Sequence, residues 1–219
     1  MAHVDQGRFI WHDLMSKQPE ADRAFLEALV GYQVVERDMG DMGLYPMLMA
    51  GEAGVGGIVG MGQEEPHPSH WVGYLVVSDL DAALATVEAN GGKVLVPAFA
   101  IPEVGRTAVV ADPKGAVFSP LQPATAESML PQSPMGQGRF CWWELVTSDV
   151  AGAKDFYGKL VGWGSHELDM GGRPYTLWTK GEEKNPGGLM QHPEGLSDPA
   201  FWLFYILVAD VDATTARVA

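Results

Sequence analysis

The sequence predicts an α+β fold in which one strand–helix–three-strand (βαβββ) unit is used repeatedly. The first observation is an internal repeat. Residues 7–33 match residues 138–164 without a gap, with 9 of 27 positions identical, and residues 70–81 match residues 201–212 at 5 of 12 positions. Both matches have the same shift of 131 positions, which indicates a duplicated module. The second observation is the order of apolar segments. In each complete half of a copy, a segment with the apolar spacing of a strand is followed by one with the spacing of a helix and then by three further strand segments.

The first unit of copy one begins with an apolar strand over Arg8–Met15. A helix follows, with Pro19 in its first turn and Gly31 well placed to end it. Three short strands between glycine-rich turns complete the unit. They are predicted at Val34–Met39, Tyr45–Ala50 and Gly57–Gly62.

The second unit of copy one repeats this order. An apolar strand over Trp71–Ser78 precedes a helix over Leu80–Ala89, which Asp79 can cap. Residues 112–115 read Asp-Pro-Lys-Gly, with proline and glycine where a type I turn favours them. The strands that complete the unit are predicted at Lys93–Val96, Arg106–Ala111 and Ala116–Leu121.

These units divide the chain into two modules. Residues 7–122 form the first module, and residues 123–137, rich in Pro, Ser, Ala and Gln, are the predicted linker. The second module, residues 138–219, contains one full unit, then a strand over Phe201–Ala209 and part of a helix from Val211. A full copy would be 34 residues longer, so we expect the second module to be incomplete at its C-terminus. Either the chain is truncated, or a second copy in a homodimer supplies the strands that the second module lacks.

Composition excludes several classes of function. The formal net charge is −14, and no cluster of Lys and Arg offers a basic face for nucleic acid. The single cysteine, Cys141, rules out an internal disulfide and suits a reducing compartment. The first residues lack a signal-peptide core, and no apolar stretch reaches the length of a transmembrane helix. We therefore expect a cytoplasmic protein without nucleic-acid or membrane partners.

Several short motifs occur together at fixed places in the units. They are Asp149-x6-Phe156-Tyr157-x5-Gly162-Trp163, Val77-x-Asp79-x-Asp81-Ala82, Ala89-Asn90-Gly91-Gly92 and Gly105-Arg106-x-Ala108-Val109-Val110-Ala111-Asp112-Pro113-x-Gly115-Ala116-x-Phe118. In combination they resemble the vicinal oxygen chelate superfamily of glyoxalase I, bleomycin-resistance proteins and extradiol dioxygenases. The two-module form, with Trp-x-Asp/Glu-Leu on each first strand, resembles actinobacterial two-domain proteins labelled hydroxylase or 27-kDa antigen. The resemblance implies glyoxalase-like modules of curled mixed sheets, a small-molecule ligand inside each cup, and lyase or oxidoreductase chemistry.

The resemblance also implies a divalent metal held by three side chains that point into the cup. On the first strand of the first unit, the matching position is Trp11 in copy one and Trp142 in copy two. On the first strand of the second unit it is Gly73 or Phe204, and on the last strand of the second unit of copy one it is Ser119. Tryptophan, glycine and phenylalanine do not ligate metals, and a lone serine does not hold one. We therefore expect the family's metal triad to be absent and predict no cofactor, although the resemblance leaves a divalent metal open.

Histidines provide the alternative, a metal-dependent lyase or dioxygenase with displaced ligands. His12 is one residue away from the ligand position, which places it on the other face of a regular strand. His67 and His70 lie in an acidic loop before a strand, where they could bind a metal ion. His166 and His192 have no partner at ligand spacing and are expected at the surface.

Aromatic and acidic residues occupy the cup positions instead. If Trp11 and Trp142 face the cup, then Asp13 and Glu144, two residues further on, face it too. Asp13 and Glu144 are therefore the candidate catalytic residues, as counter-charge or general base. The candidate binding residues are Trp11, Tyr45, Tyr74, Trp142 and Tyr175.

Such a lining suits a flat or cationic small molecule, held by stacking and cation–π contact. The protein would then be a metal-free enzyme, or a non-catalytic binding or resistance protein. In the competing structural interpretation, the tryptophans fill the core and the carboxylates pair with Arg8 and Arg139.

Overall fold

A computed structural model of the chain describes residues 6–125, 136–172, 174–181, 183–193 and 199–218, with only the backbone described at 183–186. Residues 126–135 of the predicted linker lie outside the described residues. Within these ranges the predicted strand–helix–three-strand order is present in both units of the first repeat and in the first unit of the second.

The first repeat contains eight strands and two helices. They are β1 (Phe9–Ser16), α1 (Pro19–Val30), β2 (Gln33–Asp38), β3 (Leu44–Ala50), β4 (Ala53–Gly60), β5 (His70–Val76), α2 (Leu80–Ala89), β6 (Lys93–Ile101), β7 (Gly105–Ala111) and β8 (Val117–Pro123), with a single 3-10 turn at Gly40–Met42. The elements of the second repeat are β9 (Phe140–Thr147), α3 (Val150–Val161), β10 (Gly164–Asp169), β11 (Pro174–Lys180), β12 (Glu183–Gln191), β13 (Phe201–Ile206) and α4 (Val211–Thr215).

Helix ends follow local side-chain chemistry. Asp79 and Asp149 each accept a hydrogen bond from a backbone N–H in the first turn of α2 and α3, at 3.0 and 2.9 Å. Gly31 and Gly162, which are 131 positions apart, end α1 and α3 with φ of 82° and 75°. Because residues with a Cβ avoid this left-handed region, glycine at both positions fixes where the helix stops.

Several elements differ in length from the prediction, among them β4, which begins at Ala53 rather than Gly57. Strand β6 continues past Val96 because Pro97, which lacks an N–H, lies on an exposed strand whose pairing with β7 shifts register. Strand β13 ends at Ile206 rather than Ala209, and Asp210 then caps the next helix through a 2.9 Å bond to Ala213 N. Helix α4 itself ends at Thr215.

The strands form two curled mixed sheets. The eight-stranded sheet has the order β2-β3-β4-β1-β5-β8-β7-β6, and the five-stranded sheet has the order β10-β11-β12-β9-β13. In the first sheet β1 runs parallel to β4, with Asp13 opposite Gly57. In the second, β9 runs parallel to β12, with Glu144 opposite Gly188. The same pairing at a shift of 131 confirms the predicted α+β fold of repeated units.

The larger of two compact units consists of the described parts of residues 1–10, 74–129 and 142–204. It therefore joins the second half of copy one to the first half of copy two. Tyr157 and Trp178 are fully buried in its core. Several polar contacts connect the two repeats inside this unit. Among them are Tyr157 Oη to Asp112 Oδ2 at 3.2 Å, Trp163 Nε1 to Gly7 O at 3.0 Å, Lys159 Nζ to Asn90 Oδ1 at 3.0 Å, and Ala200 N to Lys114 O at 2.8 Å.

The smaller compact unit consists of the described parts of residues 11–73, 130–141 and 205–219. Its core is formed by buried residues of β1, α1, β3 and β4, among them Leu26 and Leu48. Tyr32 Oη donates a 2.6 Å hydrogen bond to Gly138 O, so the first residues of copy two are fixed within this unit. The predicted module boundaries follow the sequence repeat. The compact units do not follow it, because each of them contains residues from both repeats.

Candidate functional site

The first strand of copy one places an indole and a carboxylate on one face. Trp11 and Asp13 are two residues apart on β1, and Trp11 Nε1 donates to Asp13 Oδ1 at 3.1 Å. Tyr45, on β3, joins them. Its hydroxyl accepts a 2.7 Å bond from Trp11 Nε1 and donates to Asp13 Oδ1. These three side chains form a closed hydrogen-bonded group, which we call the copy-one triad.

A glycine makes this group possible. Strand β4 lies between β1 and β3 in the sheet, and its residue opposite Asp13 is Gly57. A Cβ added at Gly57 would overlap the Tyr45 hydroxyl. Only a residue without a side chain therefore lets the phenol reach across β4 to the carboxylate.

Copy two has the same arrangement. Trp142 Nε1 donates to Tyr175 Oη at 3.2 Å, and Tyr175 Oη donates to Glu144 Oε2 at 2.5 Å. We call these three residues the copy-two triad. A Cβ added at Gly188 would overlap the Tyr175 hydroxyl, as at Gly57 in copy one. Each triad lies within one compact unit, the first in the smaller and the second in the larger.

The carboxylates are more deeply buried than the aromatic side chains of their triads. Asp13 is 4% exposed and Glu144 is 6% exposed, whereas both tryptophans and both tyrosines of the triads are half-buried. A carboxylate with so little contact with water needs hydrogen-bond donors, and the tyrosine hydroxyls supply them. The arrangement combines a fixed negative charge with aromatic surface that a ligand can reach.

The last predicted binding residue, Tyr74, is not a member of either triad. It lies half-buried on β5, in the larger compact unit, with Ser119 of β8 opposite it in parallel register. Ser119 is itself buried.

The histidines differ in burial and in their neighbours. His12 is buried, and its ring stacks on Phe140 with centroids 3.8 Å apart. Burial lowers the pKa of His12 to about 3, so the ring is neutral at physiological pH. His67 is exposed and His70 is half-buried. Their ring centroids are 6.4 Å apart, and His70 Nδ1 lies 2.8 Å from Pro68 O.

The prediction that His166 and His192 lie at the surface is correct for His166 and wrong for His192. His192 is buried, with its ring 5.9 Å from Phe201 and its backbone N–H bonded to Thr147 O. The strand that precedes it is paired to β9 up to Thr147, which draws the following residue into the core.

The described residues do not fit the family's metal. Among them, no group of three or more His, Cys, Asp or Glu side chains could hold a metal ion. At the first-strand positions, Trp11 and Trp142 use their indole N–H groups as hydrogen-bond donors within the triads. At the counterpart positions, Gly73 has no side chain and Phe204 has no ligating atom.

Sequence reasoning identified all six triad residues but missed the two glycines that let them meet. A signal for them was present, since Gly56-Gly57 recurs as Gly187-Gly188 at the same shift of 131. The tyrosines are 130 positions apart, so a simple alignment of the repeats does not pair them.

Within the described part of the chain, no helix has both the length and the apolar composition needed to cross a membrane.

No protein-family profile matches the chain. Two kinds of relative match it in sequence. CFP32 of Mycobacterium bovis, which carries the name of a glyoxylase, is 41% identical over 123 residues, covering 55% of this chain and 46% of that protein. The anthracycline biosynthesis protein DnrV of Streptomyces peucetius is 31% identical over 150 residues, covering 68% of this chain and 54% of that protein. The matches span about half the length of these relatives.

Solved structures show the same fold at low sequence identity. The 2,2′,3-trihydroxybiphenyl 1,2-dioxygenase of Sphingomonas wittichii superposes with a TM-score of 0.63 and 13% identity, over 99% of this chain and 79% of that one. The Mn(II)-bound glyoxalase of Novosphingobium aromaticivorans superposes with a TM-score of 0.59 and 16% identity, over 87% and 62%. The repeated βαβββ units, the relatives named for a glyoxylase and for anthracycline biosynthesis, and this fold together support the resemblance to the vicinal oxygen chelate superfamily.

Proposed function

We propose that the chain binds a flat or cationic small molecule over the Trp–carboxylate–Tyr triads and that it does so without the metal of its superfamily. The observation that carries the proposal is the repetition of one arrangement. In both copies a buried carboxyl group accepts a hydrogen bond from a half-buried tyrosine, which in turn accepts one from a half-buried tryptophan. A group that only filled space would not need a charge in this position, because a buried charge costs free energy.

The chemistry of the triad favours two classes of ligand contact. Tryptophan and tyrosine rings offer faces on which a planar molecule stacks and a cation is attracted. The carboxylate of Asp13 or Glu144 adds a negative charge at close range, which favours a cation further. A ligand anion would meet repulsion at the same place.

The same group can carry out proton transfer in an enzyme. Asp13 accepts from the Tyr45 hydroxyl, so a proton taken from a bound substrate can reach the carboxylate directly or through the phenol. Glu144 and Tyr175 repeat this connection at 2.5 Å. The reaction would be an acid–base step of the lyase or oxidoreductase type, with Trp11 or Trp142 positioning the substrate.

One relative supports the flat ligand. DnrV is named for anthracycline biosynthesis, and anthracyclines contain fused planar rings. We infer that a planar, oxygenated ring system is the best first class of ligand to test on this chain.

The test uses two planar probes of opposite charge, proflavine as the cation and anthraquinone-2-sulfonate as the anion. Binding is measured by isothermal titration calorimetry on the full chain. Asp13→Asn is expected to raise the Kd of proflavine at least tenfold without raising the Kd of anthraquinone-2-sulfonate. The matched control is Asp81→Asn, because Asp81 is exposed and paired with Arg106. Equal effects of the two substitutions, or no saturable binding of either probe, would overturn the proposal.

Two further outcomes separate the remaining functions. Elemental analysis after exposure to Zn, Ni, Mn or Fe tests the displaced-ligand alternative. A stoichiometric metal that is lost on mutating His12, His67 or His70 would make the protein metal-dependent and refute the metal-free proposal. Conversion of a bound probe or its analogues would identify an enzyme, and unchanged recovery of every bound compound would favour a binding or resistance protein.

A further inference from the structure

The tyrosine of each triad has a cross-strand neighbour that differs between the copies. In the antiparallel pair of β2 and β3, Arg37 lies directly opposite Tyr45. In the antiparallel pair of β10 and β11, Leu168 lies directly opposite Tyr175. Residues that lie opposite each other in such a pair project from the same face of the sheet, with Cβ atoms about 4.5–5.5 Å apart. Arg37 and Leu168 are therefore direct neighbours of the triads.

Arg37 and Leu168 are equivalent positions at the shift of 131. The last paired positions of the two hairpins are 38 with 44 in copy one and 169 with 174 in copy two, so the second turn is one residue shorter. This difference accounts for the spacing of 130 between the tyrosines, and it keeps both tyrosines opposite the equivalent position. The same place beside the triad thus holds a cation in copy one and an apolar side chain in copy two.

Arg37 is the single Lys or Arg residue on strands β1–β4. Its acidic neighbours Glu36 and Asp38 lie on the opposite face of β2, because side chains alternate along a strand. On that face Glu36 pairs with Arg23 of α1 at 3.3 Å. Arg37 is exposed. On the face of β2 that carries the triad, a ligand therefore meets a positive charge.

The strand order separates this charge from the carboxylate. In the order β2-β3-β4-β1, Arg37 and Asp13 are three strand spacings apart, which is about 14 Å between backbones. Tyr45 reaches across β4 between them, and Val35, opposite Met47, adds apolar surface on the same face. Copy one thus presents a carboxylate, an aromatic ring and a cation in a row. In copy two the row ends in a leucine.

We propose that Arg37 makes the copy-one triad selective for planar ligands that carry an anionic group, and that the copy-two triad lacks this selectivity. The selectivity depends on the proposed function, since a ligand must first bind over the triad. The cationic or neutral part of the ring lies towards Asp13. A carboxylate, sulfonate or phosphate group at the other end forms charge-assisted hydrogen bonds with the guanidinium of Arg37. In this orientation the anion stays away from Asp13, which would repel it.

Two probes that differ in one group test this selectivity. 9-Aminoacridine is a planar cation, and 9-aminoacridine-2-carboxylate has the same ring with an anion at one end. Isothermal titration calorimetry is carried out on the full chain with Trp142→Ala and Glu144→Gln, which disable the copy-two triad. The carboxylate probe is expected to bind this parent chain at least fivefold more tightly than 9-aminoacridine.

Three substitutions in the parent chain assign the preference. Arg37→Leu, which introduces the copy-two type of residue, is expected to bring the ratio of the two Kd values to about one. Arg37→Lys keeps the charge and should retain part of the preference. Arg106→Leu is the matched control, because Arg106 is exposed and pairs with Asp81, and it should leave the ratio unchanged. Circular dichroism checks that each variant folds.

The outcomes separate the role of Arg37 from the proposed function. Equal Kd values of the two probes in the parent chain, or a ratio that Arg37→Leu leaves unchanged, would overturn the role of Arg37. Saturable binding of 9-aminoacridine in the same experiment would still support binding over the triad. No binding of either probe to the parent chain would overturn both.

Discussion

The hydroxyl of Tyr157 lies 3.2 Å from Oδ2 of Asp112, so a helix of the second repeat is bonded to a hairpin turn of the first. Both residues are buried in the larger compact unit. Oδ1 of Asp112 accepts from the backbone N–H groups of Lys114 and Ala116, each at 2.9 Å. One carboxylate therefore shapes the turn and holds the helix at the same time.

Tyr157→Phe is expected to lower the free energy of unfolding by about 1–3 kcal/mol, because Asp112 then loses a donor while it stays buried. Urea unfolding followed by fluorescence measures the change. Lys159→Ala is the control, since its bond to Asn90 is exposed and should be worth less than about 0.5 kcal/mol. Equal losses in the two variants would contradict the role given to Asp112.

Asp112 also predicts a pH dependence of stability. Burial raises the pKa of Asp112, although its hydrogen bonds oppose the shift. The folded state therefore holds this proton more tightly than the unfolded state, and stability from Asp112 falls as pH rises from the ordinary aspartate pKa to the raised one. Asp112→Asn removes this contribution, so wild type should lose stability relative to the variant between pH 4 and pH 7. Urea unfolding at several pH values measures the difference, and parallel profiles would refute the assignment.

His12 predicts the opposite trend in acid. Burial lowers the pKa of His12 from 6.5 to about 3. Between these pH values, His12 is therefore protonated in the unfolded chain and neutral in the folded chain. Stability is expected to fall as pH drops from 6.5 towards 3, by up to about 1.4 kcal/mol per pH unit. His12→Gln should flatten this slope in thermal or urea unfolding. His166→Gln, at an exposed histidine, should leave the slope unchanged.

Gly57→Ala is expected to destabilise the protein by about 1–3 kcal/mol, because the new methyl group overlaps the Tyr45 hydroxyl. Tyr45→Ala removes the hydroxyl and also the ring carbons that the added Cβ would overlap, so it should make the alanine at position 57 less costly. A double-mutant cycle measures this. Gly62→Ala is the control, since the nearest atom to its added Cβ is the flexible Glu65 side chain at 3.9 Å. Strict additivity in the cycle would show that Tyr45 does not cover Gly57.

The order of strands and helices was predictable because each element has local signals. Asp79 and Gly31 define helix ends by chemistry that acts within one turn, and the repeat gave a second example of each element from β1 to α2. The partners of Tyr157 were not predictable, since its contact with Asp112 depends on how the two repeats combine. A local pattern contains no information on that combination.

The candidate site was predictable in part. Strand alternation put Trp11 and Asp13 on one face, and the structure brings Tyr45 to both. What the sequence did not predict is that Asp13 accepts from these aromatic side chains, because that requires the closeness of β1 and β3 across Gly57. The burial of His192 was missed for a similar reason, as strand pairing determines it.

The composition of the larger unit has a consequence for synthesis. Residues 74–125 leave the ribosome well before residues 142–204, yet both belong to this unit. At about 5–20 residues per second, helix α2 waits roughly 4–16 s for the arrival of α3. During that interval Phe9, which is buried in the finished core, lacks its aromatic partners Trp143, Trp202 and Phe204, because all three belong to the second repeat. We therefore expect chaperones to bind the nascent chain most at the stage when only the first repeat has been synthesised.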